Sequence, residues 1–175
     1  MTADAIRLID SLTAVIEDFP QQGITFRDLT PVFADGEALR AVADALVAPW
    51  VGKVDVIAGV EARGFLLAAA AAYSVGLGVL VVRKPGKLPR EVISESYDLE
   101  YGSTSLEVQP ADFAAGTRVL VVDDVLATGG TLSASTRLIE RAGWHVAGVS
   151  VVLELEELDG RAALAGRDIR SLKRV

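Results

Sequence analysis

Hydrophobic positions along this chain fall into two patterns, one with helical spacing and one of short unbroken runs. Ile6, Ile9, Leu12 and Ile16 stand three or four residues apart, which predicts one apolar face of a helix ending near Pro20. Residues 21–30 follow neither pattern and are expected to be irregular. Asp35 can cap a second helix that carries Leu39, Val42 and Leu46 on one face and stops at Pro49. Unbroken apolar runs predict buried strands over 54–60, 79–82, 117–122 and 145–153. Helices are expected over 64–73, about 131–141 and about 157–164, followed by a terminal segment. Strand and helix alternate, so the expected fold is α/β, a mostly parallel central sheet flanked by helices.

Two stretches need separate treatment. Residues 64–82 are 19 consecutive positions without a formal charge, between Arg63 and Arg83. Gly76 and Gly78 interrupt the run, which divides better into a buried helix, a glycine turn and a strand than into a membrane span. Residues 84–105 break the alternation. They are polar, contain Pro85, Gly86 and Pro89, and offer only short alternating pieces such as Tyr97-Asp98-Leu99-Glu100-Tyr101. A long irregular segment inside a compact domain is expected to be a functional lid. No repeat, linker or low-complexity tract divides the chain, so one domain over 1–175 is expected. The N-terminus lacks the basic and apolar regions of a signal peptide.

Composition narrows the function classes. The 175 residues are 51% hydrophobic and 23% charged, which excludes a disordered chain. The absence of cysteine removes disulfide scaffolds, zinc fingers and thiol nucleophiles, and fits a reducing cytoplasm. A net charge of -7 argues against broad nucleic-acid or membrane-surface binding. An anionic ligand would need a local basic patch or backbone amides. Arg83, Lys84, Lys87 and Arg90 supply such a patch, four cations within eight acid-free residues.

The strongest local signal runs from Val119 to Thr131, where an apolar strand leads into Asp123 and Asp124, then into Ala127-Thr128-Gly129-Gly130-Thr131 and a helix start. A Gly- and Thr-rich turn at a helix N-terminus offers backbone N–H groups and hydroxyls to a phosphate. Two neighbouring carboxylates would repel a bare phosphate. They suit a ligand that carries sugar hydroxyls as well, from which they can accept hydrogen bonds. The bland alternative is a strand-to-helix turn capped by Asp and Thr. A Walker A loop is not matched, because Phe65-Leu66 follows Gly64 where Lys-Ser/Thr is required. A dinucleotide fingerprint is not matched either, since Gly76 and Gly78 open a strand.

Residues 123–131 resemble the ribose-phosphate signature of the type I phosphoribosyltransferases. Other segments are similar to the branch of that family that takes adenine. Asp18-Phe19-Pro20, Gly23-Ile24 and Phe26-Arg27-Asp28-Leu29-Thr30-Pro31 resemble its N-terminal hood. Gly59-Val60-Glu61-Ala62-Arg63-Gly64-Phe65 resembles its pyrophosphate loop. Arg83-Lys84-Pro85-Gly86-Lys87-Leu88-Pro89 with Ser96-Tyr97-Asp98-Leu99-Glu100-Tyr101-Gly102 resembles its flexible catalytic loop. The motifs occur in family order from about residue 6 to about residue 170. One departure is the hood's usual proline, replaced by Gln22.

The resemblance implies a type I phosphoribosyltransferase fold with its hood within 1–33 and its flexible loop at 84–105. The implied reaction joins adenine to 5-phospho-α-D-ribose 1-diphosphate, giving AMP and pyrophosphate. Ala127, Thr128, Gly129, Gly130 and Thr131 would hold the 5-phosphate, and Asp123 and Asp124 the ribose hydroxyls. Glu61, Ala62 and Arg63, with Arg83, Lys84 and Lys87, would meet the diphosphate. Phe26 and Leu155 would sandwich the purine, whose edge would be read by backbone groups of Thr25 and Arg27. Glu100 would move the purine proton, assisted by Tyr101, and Arg63, Asp123 and Asp124 would share in catalysis. Mg²⁺ would be held mainly through the substrate diphosphate and water, with no protein metal site. The family also implies a homodimer, while the charge balance and the lack of cysteine lead to the expectation of a cytoplasmic protein that binds neither nucleic acid nor membrane. His145, the only histidine, is expected to be structural. Two alternatives stay open: an enzyme of the same fold acting on another base, and a non-catalytic regulator that senses the same ligand.

Overall fold

The computed structural model describes residues 2–99 and 102–175. In chain order the elements are α1 (Thr2–Leu12), β1 (Ala14–Ile16), β2 (Phe26–Asp28), α2 (Thr30–Ala34), α3 (Gly36–Val47), β3 (Val56–Val60), α4 (Arg63–Val75), β4 (Gly78–Val82), β5 (Ile93–Leu99), β6 (Gly102–Val108), β7 (Arg118–Leu126), α5 (Gly130–Arg141), β8 (His145–Glu154) and β9 (Ile169–Arg174). Five strands form one sheet in the order β4-β3-β7-β8-β9, every neighbouring pair parallel. Parallel strands are buried on both faces, and the sequence supplies that directly: Val56 to Val60 are all buried. Alternate residues of β7 feed opposite cores. Leu120 and Val122 pack with α1, α3 and α4 residues such as Ile9, Leu46 and Leu67. Val119 and Val121 pack with Leu132, Leu138 and Ile139 of α5 and with Leu106 and Val108 of β6.

The sheet order places the site. After β3 the chain moves to one edge to make β4, then crosses back to lay β7 on the other side of β3. Helices leave on opposite faces there, which opens a crevice at the carboxyl ends of β3 and β7. The β3–α4 and β7–α5 loops border it.

Several expectations are corrected. The first helix ends at Leu12, where the Thr13 hydroxyl and N–H both donate to Ile9 O at 2.6 and 2.9 Å. Ile16 therefore leaves the helical face and sits exposed on β1. Residues 21–30 are not wholly irregular, because β2 pairs antiparallel with β1. Residues 84–105 are not wholly irregular either: 84–92 carry no helix or strand, but 93–99 and 102–105 lie in strands. Strands β5 and β6 form an antiparallel hairpin with an unbroken register from Ile93↔Val108 to Leu99↔Gly102. The 157–164 segment is two 3-10 turns rather than a helix, and the terminal segment is the sheet's edge strand β9. Strand β7 runs on to Leu126, so Asp123 and Asp124 lie within it. Asp35 caps α3 as expected, accepting from Ala38 N–H at 2.9 Å. The uncharged run is α4, a turn and β4, and among the described residues no helix is long and apolar enough to cross a membrane.

One buried polar contact ties α3 to the sheet. Trp50 Nε1 donates to Ser150 Oγ at 2.8 Å, and that hydroxyl donates to Leu46 O at 3.0 Å. The indole fits because position 148 is glycine; a Cβ there would fall inside the ring. Gly148→Ala is expected to destabilise the fold by about 1–3 kcal/mol through overpacking, read as a lower urea midpoint with an unchanged slope.

Candidate active site

Arg63 and the acid pair meet because backbone can pack on backbone. Gly64, in the first turn of α4, lies against β7. A Cβ at that position would stand 2.8 Å from Val122 O and 3.0 Å from Asp123 Oδ1. The absence of a side chain lets the start of α4 press on the strand that carries both carboxylates. Arg63 Nε then lies 2.8 Å from Asp124 Oδ2. Their contact is ionic without a well-directed hydrogen bond, since Oδ2 is buried with no hydrogen-bond partner among the described residues. The Arg63 guanidinium also sits over the Phe26 ring, 5.8 Å from its centroid, which links hood, loop and acids.

The two acids differ in environment. Asp124 is buried beside Arg63. Asp123 keeps an opening to the crevice, and its Oδ1 accepts from Asp124 N–H at 2.9 Å. Protein surrounds it on its other sides. That loss of water, and then the neighbouring Asp124 charge, hold its carboxyl well above the usual range. Glu61 is pulled the other way. Lys84 N–H donates to its Oε2 at 2.8 Å and Arg83 Nε approaches at 3.3 Å, which keeps it ionised. The Glu61–Ala62 peptide is cis.

On the β7 side, Gly129 adopts φ 82° at the N-terminus of α5, a conformation that favours glycine. No side chain caps this helix. The N–H groups of its first turn lack intrahelical partners and are available to an anion. A recess of about 100 Å³ lies there, lined by Asp123, Val125, Ala127, Thr128, Gly129, Gly130, Thr131 and Leu132.

Two larger clefts adjoin it. One, of about 370 Å³, is polar-walled: Glu61, Ala62, Arg63, Lys84, Asp123 and Asp124 face Tyr97, Thr104, Leu106 and Thr131. The other, of about 870 Å³, is bordered by the hood residues Gly23, Ile24 and Thr25, by Leu155 and Leu158, and by Tyr97, Thr128, Gly130 and Thr131. Tyr97 and Thr131 belong to both, and the Thr131 hydroxyl donates to Tyr97 Oη at 3.3 Å. A further cavity of about 540 Å³ between α3 and α4 lies apart from these groups.

Most residues anticipated from the sequence converge here, with differences. Phe26 lines neither cleft, unlike Leu155; it meets Phe19 edge-on at 5.2 Å and the Arg63 cation. Arg27 follows the strand alternation to the hood's other side, beside Asp10 and Lys173. Of the four-cation patch, only Lys84 lines the polar cleft. Arg83 turns to Glu61 and to the carbonyl of Lys87, which is itself exposed. Arg90 pairs with Asp112 at 2.6 Å. Glu100 and Tyr101 lie outside the described residues. Gln22 leaves the hood turn closed, since Asp18 Oδ1 accepts from Gly23 N–H at 2.7 Å and Phe19 N–H donates to Ile24 O at 3.1 Å. Tyr97 was not among the anticipated residues. Its signal was the alternating run that begins at Tyr97, and β5 brings Tyr97 to the cleft. Glu95 anchors that hairpin on α5, accepting from Arg137 at 2.7 Å and Arg141 at 2.5 Å.

An open parallel sheet with a switch-point crevice, a helix-end anion recess and two adjoining clefts defines an α/β protein built for a phosphorylated ligand. The family described as phosphoribosyl transferase domain matches residues 32–168. The chain is 65% identical over 169 residues to adenine phosphoribosyltransferase of Arthrobacter sp. (strain FB24), covering 97% of this chain and 91% of that one. It is 53% identical over 175 residues to adenine phosphoribosyltransferase of Mycobacterium marinum, covering 99% and 94%. Among solved structures it is similar to adenine phosphoribosyltransferase from Thermoanaerobacter pseudethanolicus, with a TM-score of 0.92, 46% identity, and 97% and 99% of the two chains covered. It is also similar to the Saccharomyces cerevisiae enzyme complexed with an imino-altritol bisphosphate and adenine, with a TM-score of 0.92, 33% identity, and 98% and 99% covered. The chain belongs to the phosphoribosyltransferase family, in its adenine phosphoribosyltransferase branch.

The raised Asp123 has a consequence for stability. A carboxyl with a higher pKa folded than unfolded binds more protons in the native state between the two values, so its contribution falls as pH rises through that window. Asp123→Asn keeps the acceptor for Asp124 N–H and removes the charge. It is expected to raise the urea midpoint at pH 7 and leave it unchanged at pH 3. An equal or lower midpoint at pH 7 would show that ionised Asp123 costs the fold nothing.

Proposed function

We propose that this chain transfers the 5-phosphoribosyl group of 5-phospho-α-D-ribose 1-diphosphate to adenine, releasing pyrophosphate and giving AMP, a purine-salvage reaction. The observation that carries the reading is the pair of clefts that share Tyr97 and Thr131. A cleft with apolar walls suits a flat base, and a cleft with cations and carboxylates suits a sugar diphosphate. Their shared boundary is where a bond between base and sugar would form. Relatives covering nearly all of the chain carry the same activity in their names.

The residues divide the work accordingly. Backbone N–H groups and hydroxyls of residues 127–131 take the 5-phosphate at the end of α5. Arg63 and Lys84 attract the diphosphate, Arg63 as a fork that would exchange its ion pair with Asp124 for phosphate oxygens. Asp123 and Asp124 accept from the ribose hydroxyls and oppose the positive charge that grows at the anomeric carbon as the C1–O bond breaks. The bond's electron pair leaves with pyrophosphate, and the adenine ring nitrogen supplies the pair for the new C1–N bond. Glu100 takes the proton that this nitrogen sheds. Leu155 and Phe26 offer apolar surface to the base, and the β5–β6 hairpin serves as the lid that excludes water.

Mg²⁺ fits this donor set through the substrate rather than through a protein cage. Asp123 and Asp124 line the polar cleft where the diphosphate would sit, and Asp124 Oδ2 is buried against Arg63 without a directed hydrogen bond. When bound, the ion would neutralise charge on the departing diphosphate. A homodimer is supported by the large apolar residues left exposed on α4 and β4, Leu66, Tyr73 and Val81. The cytoplasm is the proposed compartment, because a polyanionic sugar diphosphate does not cross a bilayer.

Pyrophosphate release measured with each base tests the substrate. Adenine is expected to be preferred over hypoxanthine and guanine, because a mismatched buried hydrogen-bond pair costs on the order of 1–3 kcal/mol. Equal use of hypoxanthine would overturn the assignment to adenine and leave the fold standing. Glu100→Gln is expected to slow the single-turnover rate by roughly 10²–10⁴ with little change in sugar-diphosphate affinity. An unchanged single-turnover rate removes Glu100 from the chemistry.

A further inference from the structure

Behind the two clefts lies a group of charged residues that touches neither. Glu154 ends β8, is buried, and accepts from Arg161 twice, Nε to Oε1 at 2.5 Å and Nη2 to Oε2 at 2.8 Å. The Ser171 hydroxyl of β9 donates to the same Oε2, and Arg174 Nε lies 3.3 Å from it. Arg161 in turn reaches Ser171 Oγ at 3.2 Å. These bonds hold Glu154 ionised, with the Arg161 hydrogen bonds the largest cause. An ion pair this well satisfied fixes two points of the chain firmly.

The span it closes is short and lies against both subsites. Between Glu154 and Arg161 run Leu155, Glu157 and Leu158, which line the apolar-walled cleft, and then Gly160. Gly160 is buried directly behind the anion-binding turn. A Cβ at Gly160 would collide with Ala127 O, and a Cβ at Gly129 would collide with Gly160 O. The two backbones therefore rest on each other with no room for a side chain on either. Leu155 N–H also donates to Leu126 O at 2.9 Å, immediately before the turn. The exposed residues 156–159 have little apolar burial to hold them in this shape.

We propose that Arg161 is a positioning residue for both substrates: its bidentate pair with Glu154 holds Gly160 against the phosphate-binding turn and, through the same six-residue loop, holds Leu155 against the base. The inference rests on the assignment of the two clefts as base and sugar-phosphate subsites. It adds that they share one mechanical support, so releasing Arg161 weakens both ligands together. Arg161 lines neither cleft, and the effect is carried by loop position alone.

The test is isothermal titration of ribose 5-phosphate and, separately, adenine into wild type, Arg161→Gln, Arg161→Lys and Gly160→Ala, with steady-state kinetics alongside. In folded Arg161→Gln both dissociation constants and both KM values are expected to rise on the order of tenfold to a hundredfold, as for displacement of a support by about 1 Å, while kcat falls by less than about threefold. Arg161→Lys, which leaves Glu154 compensated, is expected to recover most of the affinity. Gly160→Ala, with the ion pair intact, is expected to weaken ribose 5-phosphate. Wild-type affinities in Arg161→Gln, weakening of one ligand only, or a fall in kcat at unchanged KM would each overturn the proposal. If Arg161→Gln does not fold, Gly160→Ala decides: undiminished ribose 5-phosphate affinity there overturns it. Failure of the wild-type protein to bind either probe would instead refute the assignment of the clefts.

Discussion

Two carboxylates side by side at the end of a buried strand are expensive to keep charged, and much of the site is arranged around that cost. Asp123 and Asp124 stand within β7, just past its last pairing with β3 at Val122 and beside β8, where Asp123 pairs with Val151, so most of their surroundings are protein rather than water. Arg63 supplies a countercharge and holds Asp124 closely. Asp123 is left to bear the lost hydration and its neighbour's field together. A core selected for stability alone would not place acids there. Their retention makes sense in a site that meets a cation or a developing positive charge, where the same desolvation strengthens the attraction.

Close backbone packing is what assembles the remaining parts. Gly64 brings the start of α4 onto β7, and the Gly129–Gly160 contact brings the loop after β8 onto the turn before α5. At both places a methyl group would separate loops whose relative position defines the clefts. Rigid parallel strands set the origin of each loop, and side-chain-free contacts set the spacing between them. Precision in the site therefore comes from what is missing at these positions as much as from the groups displayed.

Locality separates what the sequence made legible from what it did not. The 119–131 run declares itself because strand, acids, turn and helix start are consecutive, and Glu61-Ala62-Arg63 is legible for the same reason. The central strands are legible because burial on both faces leaves unbroken apolar runs. Strand β9 was missed: Ile169–Arg174 carries Arg170, Lys173 and Arg174, which a half-covered edge tolerates and a run-based reading passes over. The β5–β6 hairpin was missed because Ser and Glu dominate it, while its order comes from Ile93 and Tyr97 packing beside the core and from Glu95 on α5. The Arg161–Glu154–Ser171 group was invisible for a different reason. Its members gain meaning only when β8 and β9 lie side by side.

The raised carboxyl and the incompletely satisfied Arg63–Asp124 pair act in the same direction when ligand arrives. In the proposed reaction, a diphosphate that draws Arg63 toward itself would take away the countercharge beside Asp124. The ribose hydroxyls and the positive charge growing at the anomeric centre would then supply the stabilisation that Arg63 gave, because both favour carboxylate acceptors. On that reading Asp123 is costly to charge in the free protein and would be stabilised most near the transition state. That difference between ground state and transition state is the quantity that lowers a barrier, whereas a pair fully neutralised by protein cations beforehand would have nothing left to offer the reacting sugar.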